Sequence, residues 1–202
     1  MKEFYSLNNI ETLGNYNEIA SSKIVEKKSI FISYIFKIDN ESQANENIEK
    51  IRKVYKDARH IVYIYSYLKD NMCNIKFSDD GEPRGTGTKA IYELLTKENI
   101  TNICIVIVRY FGGILLGAGP LSRTYLNSAK ESIKKCKKEV IHNYIKFSTT
   151  VSYGEYQIVK NVIDKKVEEG IIKISSIEFK DNVDIVIYII DKYYDEVINI
   201  IS

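Results

Sequence analysis

Seven of the ten glycines and both prolines of this 202-residue chain fall between Gly81 and Pro120. Unusual backbone geometry is therefore concentrated in one stretch, FSDDGEPRGTGTKAIYELL followed by NICIVIVRYFGGILLGAGPLSRTY. Glycine reaches positive φ without a Cβ clash and lets a partner approach the main chain closely. The stretch contains two similar units. In the first, a polar loop from Asp79 to Thr88 leads into Ala90, Ile91, Leu94 and Leu95, which share one helical face, with Thr88 the expected N-cap. In the second, the apolar run Asn102 to Tyr110 reads as a strand buried on both faces. A loop through Gly112, Gly113, Gly117 and Gly119 then opens another helix, with Gly119 expected at the N-cap and Pro120 at the first helical position. Two helix starts after flexible loops are two expected anion sites, since unpaired N–H groups and the helix dipole point there.

The rest of the chain supplies alternating and helical segments. Lys23 to Ile38 reads as strand, Glu41 to Tyr55 as a helix carrying Ala44, Ile48, Ile51 and Tyr55, and Ala58 to Leu68 as strand. Met72 to Phe77 is its expected hairpin partner across Lys69-Asp70-Asn71, while Tyr5, Leu7, Ile10 and Leu13 are expected to pack along the body. The helix after Pro120 places Leu121, Tyr125, Ala129, Ile133 and Cys136 on one side. Arg123, Asn127, Lys130, Lys134 and Lys137 form an opposite stripe. That stripe is either a solvated face or an extension of the anion-friendly helix start. A new strand is expected within Val140 to Tyr153, with the domain junction near Lys146. Strand, helix, strand, strand and helix then follow to the end, Gly170 stopping the first of those helices. This order is most of a ferredoxin-like βαββαβ unit without an obvious final strand.

DGEPRGT followed by VRYFGGILLGAGPLSRTY resembles the signature of the YigZ/IMPACT family, and the likeness extends upstream through EKKSIFI and DARH to cover roughly residues 20–135. The chain departs from the family pattern at Thr88-Lys89-Ala90, at Pro120 and at Ser122. The resemblance implies an α+β fold. Residues 1–146 would form the IMPACT-type domain with a left-handed βαβ crossover, similar to a ribosomal protein and to elongation factor G domain IV. Residues 147–202 would form a ferredoxin-like domain similar to the last domain of elongation factor G. It also implies a role near translation. Eukaryotic relatives restrain a stress-activated kinase through a separate N-terminal recruitment domain, which this chain has no room for, so that role is not carried over.

Charge is divided unevenly along the chain, and the count alone favours nothing sharper than two domains with different surfaces. Residues 1–147 carry 23 Lys and Arg against 17 Asp and Glu, a net of +6, whereas residues 148–202 carry 6 against 10, a net of −4. Either the two domains simply differ in surface, or the first meets a polyanion and the second does not. The three cysteines, Cys73, Cys104 and Cys136, form no CxxC pair, and with two histidines no metal site is expected. Reduced thiols, the lack of an apolar signal segment and the lack of a run long enough to span a bilayer lead to an expected cytoplasmic location without membrane contact.

The residues that carry chemistry cluster in the glycine-rich stretch. Arg84, Gly85, Thr86, Arg109, Tyr110, Phe111, Gly112, Gly113, Gly117, Gly119, Arg123, Lys130 and Lys134 are expected to bind nucleic acid or another anion, through guanidinium forks, backbone amides and stacking. Arg109 is alternatively half of a buried pair with a nearby carboxylate. Asp79, Asp80 and Glu82 form an acidic cluster, read as turn chemistry in preference to a metal site or general base. His60 is a polar position at the domain edge. Two functions remain open: a non-catalytic RNA- or ribosome-associated protein, touching translation and a translation-related partner, or an enzyme acting on a phosphorylated or acidic small molecule. The binding protein, without cofactor, is the preferred expectation. On that reading Arg109→Ala with Arg123→Ala weakens polyanion binding and leaves the fold intact.

Overall fold

A computed structural model describes residues 3–9, 18–69 and 72–201. Contacts divide the chain into two compact units, 1–141 and 142–202, giving a two-domain mixed α/β protein. Among the described residues no helix is long and apolar enough to cross a membrane.

The first unit is built on a five-stranded sheet in the order β2-β3-β6-β4-β5, with every neighbouring pair antiparallel. Its strands are β2 (Glu18–Glu26), β3 (Ser29–Lys37), β4 (His60–Lys69), β5 (Met72–Ser78) and β6 (Ile103–Tyr110). Helix α1 (Glu41–Val54) covers one face, packing Ala44, Ile48 and Ile51 against Cys104, Val106 and Val108. Helices α2 (Lys89–Lys97) and α3 (Ala118–Ile133) cover the other, packing Ile91, Leu95, Leu121 and Tyr125 against Ile103, Ile105 and Ile107. Burial on both sides explains why β6 is an unbroken apolar run.

Two boundaries differ from the sequence expectation. The segment from Lys23 to Ile38 is two strands, β2 and β3, joined by the two-residue turn Lys27-Lys28 at φ 44° and 67°. Such turns usually carry Asn-Gly or Asp-Gly, so two lysines gave no local signal. Helix α3 ends at Ile133. Cys136–Val140 is a strand, β7, paired with β1 (Tyr5–Asn9), so Cys136 and Lys137 are not helical. Leu7 of β1 is fully buried, as expected, while Ile10, Leu13, Asp70 and Asn71 lie outside the described residues.

The second unit runs β8 (Tyr144–Val151), α4 (Tyr153–Glu168), β9 (Ile172–Phe179), β10 (Val183–Ile190) and α5 (Tyr194–Ile201). Its sheet order is β8-β10-β9, all antiparallel. Val183, Ile185, Ile187 and Ile189 point inward from β10 to Val159 and Ile163 of α4 and to Val197 and Ile201 of α5. Ser152 and Glu155 form a reciprocal capping box at the start of α4, and Gly170, at φ 73°, follows its end.

Candidate functional site

The first glycine loop is folded around a carboxylate of its own. Asp79 accepts hydrogen bonds from the amides of Gly85 (2.6 Å), Gly87 (3.0 Å) and Thr88 (3.0 Å), and from the Thr88 hydroxyl (2.9 Å). These amides belong to the loop before α2 and to its N-cap, so it is the loop that is satisfied internally. Thr88 holds the N-cap position but donates its hydroxyl to Asp79 instead of capping the helix. Thr86 is buried and donates to the Pro83 carbonyl, and Arg84 is exposed on the loop. At the first of the two predicted anion sites, the loop amides are thus engaged by Asp79. Asp80 is similarly engaged: its carboxylate accepts from the Ile61 amide (2.7 Å) and from Arg52 (3.3 Å). Local loop bonds account for Asp79, whereas the Asp80 carboxylate ties its turn to β4 and α1. Among the described residues no group of three His, Cys, Asp or Glu is placed to hold a metal.

Glu82 does something different. Its buried Oε1 accepts from Arg109 Nη1 at 2.5 Å and from the Tyr125 hydroxyl at 2.7 Å, while Oε2 faces His60 Nε2 at 3.9 Å. The His60 ring is oriented by a 2.8 Å contact between Nδ1 and the Asp80 carbonyl, which requires Nδ1 to carry a proton and turns Nε2 toward Glu82. Burial and the bond to Glu82 hold the Tyr125 hydroxyl far above its ordinary pKa, so it remains a donor. The Arg109 guanidinium lies over two rings, 5.4 Å from the Phe31 centroid and 5.6 Å from that of Phe111. Arg109 Nε is buried with no hydrogen-bond partner.

His60, Glu82, Arg109 and Phe111 form one wall of a cavity of about 340 Å³. Arg59, exposed and 5.9 Å from the Phe111 ring, stands at its edge, and the apolar side is made by Pro83, Leu115 and Leu121. The start of α3 opens into the same cavity through Gly117 and Ala118. Gly117, at φ 80°, is the N-cap, and no side chain caps the helix. The amides of Ala118 and Gly119 precede the first intrahelical bond, which runs from Leu121 N to Gly117 O. Gly119 and Pro120 are therefore the second and third helical residues, two positions later than expected. The second predicted anion site remains open.

The other predicted residues divide. Phe111 is at the cavity, but Tyr110 points to the opposite sheet face, where its hydroxyl donates to Asp57 at 2.8 Å. Gly112 is a packing glycine: a Cβ there would lie 2.1 Å from the Lys28 carbonyl carbon, and its amide donates to Ser29 Oγ. Gly113, at φ 83°, has open space around it, so its backbone and not its size calls for glycine. Arg123 and Lys130 are exposed on α3, whereas Lys134 lies just past its end and pairs with Glu131 at 2.6 Å. Two site residues were not singled out by sequence. Arg59 was passed over beside His60. Tyr125 was assigned only to the apolar side of its helix, although a buried tyrosine among Leu, Ala and Ile positions needs an acceptor for its hydroxyl.

The family described as the Impact N-terminal domain matches residues 27–133, which include every residue of the cavity. An IMPACT family member of Haemophilus influenzae is 32% identical over 167 residues, covering 82% of this chain and 79% of that protein. IMPACT family member YvyE of Bacillus subtilis is 40% identical over 116 residues, 57% of this chain and 53% of that protein. IMPACT family member YigZ of Escherichia coli is 36% identical over 110 residues, 54% of each chain. The aligned region thus spans about half the length of the latter two relatives. A crystal structure described as that of a hypothetical protein shares the fold over 98% of this chain and 90% of its own, with a TM-score of 0.65 at 23% identity.

Proposed function

The chain belongs to the IMPACT family, and from that premise we propose that it is a non-catalytic RNA- or ribosome-associated protein that acts in regulating translation. The cavity at the start of α3 receives one nucleotide unit of the RNA. The observation that carries this reading is the convergence on one cavity of Arg59, Arg109 and the uncapped start of α3. Each favours an anion, and the Phe111 ring beside them offers a surface for a base. Arg123 and Lys130 continue the positive character along the exposed side of α3, as a backbone-tracking groove would. The finer fold assignment belongs to the same reading. The connection β3–α1–β4 is the left-handed crossover of the resemblance. The order β8-β10-β9 supports a ferredoxin-like second unit without its last strand. The protein works in the cytoplasm.

A second reading, an enzyme acting on a phosphorylated or acidic small molecule, is favoured by one observation. His60 Nε2 and Glu82 Oε2 face each other at 3.9 Å beside the cavity, where a proton could be exchanged with a bound group. Titration of labelled total RNA and isolated ribosomes at two salt concentrations separates the readings. Arg59→Ala with Arg123→Ala is the informative variant, because both side chains are exposed and their loss spares the buried pair. Salt-sensitive binding lost in this folded variant supports RNA. No binding at low salt, together with stabilisation by a nucleotide or phosphorylated metabolite, supports the small-molecule reading. A ligand at 100 times its Kd adds about 2.7 kcal/mol of stability.

A further inference from the structure

The sheet of the second unit has one covered face and one open one. The side chains that pair with the helices come from alternate positions of β10, and the intervening positions, Asp184, Val186 and Tyr188, point the other way. Tyr188, in the central strand, is exposed. Its register partners are Lys146 on β8 and Lys173 on β9, both also exposed. One row across the sheet therefore reads lysine, tyrosine, lysine.

The side chains themselves establish that this row lies on a common surface. Lys173 reaches across the central strand to place Nζ 4.3 Å from the ring centroid of Tyr144, on the far strand. The next row is short: Val186 pairs with Ser148 and Ser176, so no bulky neighbour rises beside the Tyr188 ring on that side. The row beyond it is acidic, with Asp184 opposite Thr150 and Glu178. Lys180 binds both carboxylates and Thr150 donates to Asp184. The positive, aromatic end is thus separated from a neutralised acidic end.

We infer that this open face is a platform for single-stranded nucleic acid. A base stacks on Tyr188, and Lys146 and Lys173 take phosphates of the strand running across the sheet. An aromatic face with a cation on each side matches a chain that alternates planar bases with anionic phosphates, and an antiparallel sheet presents such a row to solvent. The net charge of residues 148–202 argues otherwise only when it is averaged. Glu155, Asp164, Glu168, Asp195 and Glu196 lie on α4 and α5, which pack on the opposite face of the sheet. Charge is local here. The platform shares no residue with the cavity of the first unit and stands whether or not that cavity binds RNA.

The test uses the full chain, a fluorescein-labelled 12-mer of uridylate and anisotropy titrations over a range of salt. Tyr188→Leu keeps an apolar side chain in the strand and removes the ring. It is expected to weaken binding about tenfold or more. Lys146→Gln with Lys173→Gln is expected to flatten the dependence of log K on log salt by about 0.7 for each phosphate released. Crosslinking the same sequence carrying 4-thiouridine is expected to mark Tyr188 or Tyr144. Unchanged affinity and slope in both variants, or crosslinks confined to residues 1–141, would overturn the platform. If polyglutamate displaced the oligonucleotide with equal potency, the face would read charge alone and the stacking assignment would fall. Arg59→Ala, measured in parallel, keeps the two sites distinct. Loss there with Tyr188→Leu unchanged removes the platform and leaves the cavity, and the reverse removes the cavity.

Discussion

Arg109 and Glu82 meet at 2.5 Å with both side chains shut away from water, joining the end of the central strand to the loop before α2. Removing one partner of such a pair leaves a buried charge without its counterpart and typically costs 3–5 kcal/mol. Arg109→Met and Glu82→Gln should each destabilise the protein, Arg109→Met by about 3–5 kcal/mol. The double variant should lose less than the sum of the two. Urea unfolding of all four proteins completes the cycle, and strict additivity would mean that the contact contributes nothing.

Asp79 is the organiser of the first glycine loop. Asp79→Ala removes an acceptor shared by three amides and one hydroxyl. A loss of about 2–4 kcal/mol is expected, since bonds to a charged acceptor contribute roughly 1.5–3 kcal/mol each and part is recovered by water. Hydrogen exchange should accelerate first at Gly85, Gly87 and Thr88. Protection unchanged at those amides would show that the loop holds itself.

Two glycines separate packing from binding. Gly112→Ala puts a methyl 2.1 Å from the Lys28 carbonyl carbon and 2.3 Å from its oxygen, so backbone must move. A penalty of at least 1–3 kcal/mol is expected. Gly119→Ala meets nothing closer than Arg123 at 3.7 Å and lies in helix. It should stabilise by about 0.4–1 kcal/mol while crowding the open end of α3. Thermal unfolding together with RNA titration distinguishes the two: a Gly119→Ala protein that is both more stable and equally tight would remove the α3 start from the site.

The thiols should react in an order set by burial. Cys73 is exposed, Cys136 is half-buried with its pKa pushed up to about 11, and burial raises Cys104 further still. Iodoacetamide at pH 8 should label Cys73 first and leave Cys104 untouched until unfolding, as peptide mapping would show. The sign of the linked stability follows. Cys136 ionises in the unfolded chain at about its ordinary 9.0 and later in the folded one. Its contribution is therefore full below pH 9 and declines as pH rises toward 11. Stability rising over that range would contradict the assignment.

Elements whose neighbours do not matter to their pattern were legible in the sequence. The unbroken apolar run of β6 announced burial on both faces, Gly170 announced the end of α4, and the alternative of a buried pair for Arg109 followed from its place after that run. The misreadings came from partners distant in the chain. β7 is too short and too charged to declare itself as a strand; it exists because β1, more than 120 residues earlier, pairs with it. The turn at Lys27-Lys28 is enforced by the register of β2 on β3 and by Gly112 packed on its backbone, which local turn chemistry does not encode. Asp79 was read as a turn residue, but nothing in sequence showed that its carboxylate gathers three amides of the loop leading into α2. The separation of Tyr110 from Arg109 was available, since successive strand residues point to opposite faces. Arg109, expected from sequence to be removable without harm, is buried against Glu82, so its replacement is now expected to destabilise the fold.

The position of β6 between β3 and β4 has a consequence for the chain as it is made. Both of its neighbours are synthesised earlier, and neither touches the other in the finished sheet. Until residues 103–110 emerge, β3 and β4 each carry an unpaired edge and apolar side chains with no sheet to join. The nascent first unit therefore cannot consolidate one strand at a time; it waits for its middle and then closes from both sides. A polypeptide arrested before Ile103 would display two adhesive edges at once, the condition that makes partial chains aggregate and draws chaperones to them.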